Sequence, residues 1–184
     1  MKLTPPLIAV LTLYIAGCSR PAETTPDVGE IKNGTYHNRF FGFTVQLPAD
    51  WKVADRQSLK DTGVIHLFVI SQYDLADSPL RNTNLSCFTV NLPPDIRTGA
   101  EYLSGMKNSL PANVTIAKDI VSQQLGGRRF AVMRADLKKN NMTAHQVSAV
   151  TVIPGYALAF IGAYQTDDEG KAIDDVLQSI KFEK

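Results

Sequence analysis

Hydrophobic positions along this chain fall into two rhythms, and the rhythm changes mark its elements. Phe41, Phe43, Val45 and Leu47 alternate with polar residues and stop at Pro48, which predicts a strand with one apolar face. Trp51 to Val53 continues after a turn around Pro48-Ala-Asp50. Val64 to Tyr73 and Leu85 to Leu92 are apolar runs of strand length, the second closed by Pro93-Pro94. Val114–Leu125 and Arg128–Leu137 predict a hairpin across Gly126-Gly127, whose turn needs positive φ. Thr143–Ile153 and Tyr156–Tyr164 predict another across Pro154-Gly155. In the last of these, Tyr156, Leu158, Phe160 and Tyr164 face one way. Ala157, Ala159, Ile161 and Ala163 face the other, small enough for a helix to approach.

Two stretches switch to the helical period. Thr98-Gly-Ala-Glu101 has capping-box spacing, and Tyr102, Leu103, Met106 and Leu110 form a stripe before Pro111. Thr166-Asp-Asp-Glu169 repeats that spacing ahead of Ala172, Ile173, Val176, Leu177 and Ile180. The acidic first turn suits the helix dipole. The whole is an α+β plan, an antiparallel β-sheet flanked by helices.

The first 34 residues read differently. Leu7 to Ala16 is apolar, preceded by Lys2 and followed by Gly17-Cys18. Crossing ~30 Å of hydrocarbon takes ~20 apolar residues, so this run is too short to span. It matches the h-region of a signal peptide. Ile15-Ala16-Gly17-Cys18 resembles a bacterial lipobox, which implies cleavage before Cys18 and lipidation of its sulfur. Two or more acyl chains give stable anchoring. Residues 1–17 are thus expected to be a lipoprotein signal peptide. Residues 18–34, rich in Pro, Thr, Glu and Gly, are expected to be a flexible linker from lipidated Cys18, too poor in apolar groups to fold. Residues 35–184 then form one domain, of a size that buries about 70% of its unfolded surface. The expected home is the bacterial cell envelope, facing the periplasm. Ser19 after the cysteine, by the habit of lipoproteins, leans toward the outer membrane.

Charge and chemistry narrow the function more than they define it. Lys2 is the one charge in the leader, so the mature chain balances 18 basic against 18 acidic groups, one fewer basic than the full chain. Neutrality without basic clusters argues against nucleic acid. Arg128-Arg129 and Lys138-Lys139 read as solvated strand ends. Cys87, in a strand-like run, is the one cysteine left beside Cys18 and reads as a buried core thiol. His37, His66 and His145 are scattered, with no metal-ligand spacing. The acidic residues around Asp167–Asp175 lack the alternation and central glycine of a calcium loop. No nucleophile elbow and no phosphate-binding loop occurs. No catalytic, metal or cofactor-binding residue is assigned; Cys18 is the one site residue.

The order of these motifs is similar to the PsbP-like superfamily, including the bacterial domain of unknown function that contains DcrB. The resemblance rests on the aromatic-Gly-Phe strand ending in Leu-Pro-Ala-Asp-Trp (Phe41 to Trp51), the Gly-Gly hairpin, two long strands, and a final helix ending Ser179-Ile-Lys-Phe182. It implies an α/β/α sandwich and non-catalytic accessory or assembly work at membranes, with a protein partner that the resemblance does not name. A carrier or sensor of a small apolar or lipidic ligand held between sheet and helix is the second expectation. An envelope hydrolase is the third.

Overall fold

The computed structural model describes residues 26–54, 64–73, 83–139 and 142–183. Eleven strands and two helices are found there. The strands are β1 (Glu30–Lys32), β2 (Thr35–Asn38), β3 (Phe43–Gln46), β4 (Lys52–Val53), β5 (Ile65–Ser71), β6 (Asn84–Asn91), β7 (Val114–Leu125), β8 (Arg128–Lys139), β9 (Met142–Ile153), β10 (Tyr156–Tyr164) and β11 (Lys181–Phe182). The helices are α1 (Gly99–Asn108), between β6 and β7, and α2 (Asp167–Gln178), between β10 and β11. The long strands run β4-β5-β6-β10-β9-β8-β7 in one antiparallel sheet. A second, smaller sheet runs β1-β2-β3-β11.

The expected α+β architecture is present, with helices on both faces of the large sheet. α1 covers one face through contacts with β7, β8 and β9. The other face carries α2 and the small sheet together. The small sheet is an addition to the expected plan: the Phe41–Pro48 strand does not join the main sheet. A further correction concerns residues 18–34. The last part of that segment is not linker, because β1 begins at Glu30 and pairs with β2 across Asn33-Gly34. Both turn residues have positive φ, 50° and 72°, as a tight hairpin turn requires.

Alternation places the core. Phe41, Phe43, Val45 and Leu47 are all buried, as their spacing predicts. Phe43 and Phe182 of the small sheet meet Phe160 and Phe130 of the large one in a closed ring, with centroids 5.7 to 6.2 Å apart around it. Each such side chain is worth ~2–3 kcal/mol on burial. The four together fasten one sheet to the other. Arg128 covers the ring's outer side, its guanidinium 4.6 Å from the Phe182 centroid. On the opposite face Leu103 of α1 joins one core cluster with Ala131, Met133, Val150, Ala157 and Ala159. Ala157 and Ala159 of β10 thus face the side of the sheet that carries α1.

Both helices begin as their capping boxes predict. Thr98 accepts from the Glu101 amide while Glu101 accepts from the Thr98 amide, and Thr166 and Glu169 repeat the exchange. Gly99 sets how closely α1 lies on the sheet: a Cβ there would be 2.2 Å from the carbonyl oxygen of Val150. Gly162 does the same for α2, where a Cβ would be 2.8 Å from Ile173 Cγ2. At these two points helix and sheet touch with no room for a ligand between them.

Candidate functional site

A recess lies where α1 starts. It is a cleft of about 320 Å³. One wall is the first turn of α1 with the residue before its cap, Arg97 to Ala100. The facing wall is β7 from Ile120 to Ser122, and the floor is β8 and β9 around Ala131 and Val152. Arg129 closes one end. The lining is mostly apolar, with two guanidinium groups at the mouth. Arg97 and Arg129 are both exposed, and neither forms a side-chain ion pair among the described residues. Glu101 feels the Arg97 charge but makes no direct ion pair with it, and its carboxylate accepts from the main-chain N–H groups of Arg97 and Thr98. Those N–H groups hold the Glu101 carboxyl below its ordinary range. Asp119, the acid on β7, is held by Lys107 of α1 at 2.8 Å. The cleft is therefore cationic at its rim and apolar within.

A second polar cluster occupies the other face of the large sheet. Arg134 of β8 donates from Nη1 to the Tyr164 hydroxyl at 3.0 Å and from Nη2 to both carboxylate oxygens of Asp174 on α2, at 2.6 and 2.8 Å. Burial pulls the Arg134 guanidinium down, but the Asp174 and Tyr164 bonds outweigh it and leave its pKa raised. Beside it, His145 Nδ1 lies 2.8 Å from Asp136 Oδ1, and the imidazole ring is 5.3 Å from the Tyr164 ring. Arg134, Asp136 and His145 share a strand face with Val132 and Val147, which belong to the core under α2 and the small sheet. This face is opposite the one that carries the cleft. The cluster's charges are paired with one another and tie α2 to the sheet.

The residues singled out in the sequence fall in different places. Cys87 is fully buried, and burial raises its thiol well above the usual range. Arg128 and Arg129, adjacent in sequence, point to opposite faces: Arg128 onto Phe182, Arg129 into the cleft. The reading of this pair as a solvated strand end holds for Arg129, which is exposed, and is corrected for Arg128, which lies over the Phe182 ring. His66 packs near Phe88, ring centroids 6.1 Å apart, far along the sheet from His145. No group of three or more His, Cys, Asp or Glu side chains could hold a metal among the described residues. Among them, too, no helix is long and apolar enough to cross a membrane. Cys18 and Ser19 lie outside the described residues. Sequence reasoning missed Arg97 and its pairing with Arg129, since 31 residues separate them and the fold alone joins them.

No protein-family model matches the chain, and no curated protein matches it in sequence. Solved structures do match its fold. LpqN, described as involved in cell envelope biogenesis of Mycobacterium tuberculosis, shares 19% identity at a TM-score of 0.54, covering 77% of this chain and 83% of LpqN. The cyanobacterial PsbP of Synechocystis sp. PCC 6803, CyanoP, shares 17% identity at a TM-score of 0.57, covering 81% of this chain and 91% of CyanoP. The domain has the PsbP-like α+β fold.

Proposed function

We propose that this chain is a bacterial cell-envelope protein, held to a bilayer by lipid on Cys18, whose domain is a non-catalytic accessory or assembly factor for another protein. One arrangement carries the non-catalytic part. The cationic cleft lies on one face of the large sheet, and the His145–Asp136 pair lies on the other, with the His145 ring beside Tyr164. A surface built to recognise is thereby separated from the described histidine–carboxylate pair that could move a proton, whereas acid–base catalysis needs the two within hydrogen-bond reach of one substrate.

The address rests on Ile15-Ala16-Gly17-Cys18. It is supported by the fold shared with LpqN, whose description places it in envelope biogenesis. Ser19 favours the outer membrane over the inner. At Gly99 and Gly162 the helices lie too close to the sheet to admit a lipidic ligand at those two points.

The test is in membranes. Wild type should partition into the detergent phase on cloud-point separation and Cys18→Ala into the aqueous phase. Chemical cross-linking of intact membranes should then yield one dominant protein adduct. Aqueous partitioning of both proteins would sink the anchor, and a lack of any adduct under several cross-linking chemistries would sink the partner.

A further inference from the structure

β7 is the long outer edge of the large sheet. It is joined to β8 by Gly126 and Gly127, at φ 57° and 80°. In a two-residue turn of this kind the flanking residues exchange both main-chain bonds, and bonded and non-bonded pairs alternate from there. With the observed register, the bonded pairs are Leu125–Arg128, Gln123–Phe130 and Val121–Val132. Ser122 and Gln124 lie between them, so their N–H and C=O groups point outward from the sheet. Among the described residues, no main-chain bond from outside the ladder meets them.

Exposed edges are usually blunted by charge, proline or bulges. β7 carries such devices in its first half, where Lys118 and Asp119 sit and the register shifts twice. From Val121 to Leu125 the edge reads Val-Ser-Gln-Gln-Leu, uncharged, without proline and in unbroken register. This smooth stretch runs beside the cleft. Val121 and Ser122 form its wall, and Ser122 pairs with Ala131 of its floor. An open strand edge and two arginines without a direct ion pair among the described residues are thus side by side.

We propose that β7 accepts an extended acidic segment of a partner protein as an eighth strand along Val121–Leu125, with its acidic side chains reaching Arg97 and Arg129. The inference rests on the protein-binding reading above and gives that reading a location and a chemistry. Strand addition draws affinity from main-chain bonds and selectivity from pockets for alternate side chains. The outward groups of Ser122 and Gln124 supply the first, and the arginine cleft the second.

The full chain in mild detergent can be titrated with an eight-residue peptide alternating glutamate with valine or threonine. Two controls replace every glutamate by lysine or N-methylate every amide. The glutamate peptide should bind, protect the Ser122 and Gln124 amides from hydrogen exchange, and bind less well in high salt. The controls should not bind. Removing both arginines (R97A/R129A) should weaken binding about tenfold, at up to roughly fivefold for each exposed charge. Ser122→Pro removes an N–H that makes no ladder bond, a position where an edge proline is tolerated, so it should abolish binding and leave thermal unfolding unchanged. Equal binding of either control, or affinity unaltered by both variants, overturns the proposal. So does failure of the glutamate peptide to bind. Concentration-dependent self-association abolished by Ser122→Pro, with no peptide bound, overturns it in favour of a second copy on the edge. N-methylation alters the probe alone, so that arm decides even where Ser122→Pro disturbs the fold. If the membrane adduct persists in S122P and R97A/R129A, the edge site fails while the partner-binding reading stands.

Discussion

Arg134 and Asp174 join β8 to α2 through a single guanidinium nitrogen bonded to both carboxylate oxygens, at 2.6 and 2.8 Å. The other terminal nitrogen of Arg134 holds the Tyr164 hydroxyl. Three elements, β8, β10 and α2, therefore meet at one side chain. The pair is partly exposed, with 27% of the arginine and 43% of the aspartate side chain open to solvent. Its contribution is that of a screened ion pair rather than a buried one. Asp174→Asn should cost about 1 kcal/mol, a fall in Tm of ~3 °C for a domain of this size. Arg134→Ala should cost more, because Tyr164 loses its partner too. Thermal unfolding followed by circular dichroism reads both; equal effects of the two substitutions would contradict the three-element account.

Two glycines of α1 should respond to alanine with opposite signs. At Gly99 a Cβ meets the Val150 carbonyl oxygen at 2.2 Å, and backbone cannot yield cheaply. Gly99→Ala should destabilise by roughly 3 kcal/mol, at the upper end for overpacking. Gly105 is exposed and has nothing within 4 Å of an added Cβ. Gly105→Ala should stabilise by about 0.8 kcal/mol through helix propensity. Urea unfolding of both variants measures the contrast, and a stabilising Gly99→Ala would show that α1 does not lie on β9 as described.

Acid should loosen both helix starts. At Glu101 the N–H groups of Arg97 and Thr98 lower the carboxyl pKa. At Glu169 burial pushes the pKa up, but the N–H groups of Gln165 and Thr166 outweigh it and the net direction is down. A carboxyl lowered in the folded state adds stability above the unfolded glutamate value, ~4.3. That stability is lost as pH falls below it and through the lowered folded value. The E101Q/E169Q variant keeps an acceptor oxygen at each cap, so its stability should change less than wild type's between pH 5 and about 3. Parallel pH profiles for the two proteins would refute this.

The thiols report on both ends of the chain. Cys87 is buried with its pKa raised, so a chromogenic thiol reagent should find it unreactive until the protein unfolds. Protein taken from bacterial membranes should show no reactive thiol when native and one when denatured, since lipid blocks the Cys18 sulfur. Native reactivity of one thiol per chain would mean that Cys18 is bare.

How much of this was legible beforehand depends on range. Elements set by neighbours in sequence were readable: the Gly126-Gly127 hairpin, the Thr98–Glu101 and Thr166–Glu169 caps, and the alternation from Phe41 to Leu47. β1 was not, although Asn33-Gly34 is a strong turn signal, because Glu30-Ile31-Lys32 offers a single apolar residue amid a polar segment. β11 is two residues long and exists through its pairing with Phe43 and Thr44, far away in the chain. The cleft was invisible for the same reason. Arg97 precedes a helix cap, Arg129 follows a turn, and each looks like an ordinary solvated charge until α1 is laid on β8 and β9.

A tethered body that recruits a partner must first be tethered, and the mass of the intact protein extracted from bacterial membranes tests this most directly. The account expects a chain starting at Cys18, heavier than residues 18–184 by a diacylglyceryl group and an amide-linked acyl chain. A mass matching the chain from Met1, or an unmodified cysteine at the new amino terminus, would contradict it.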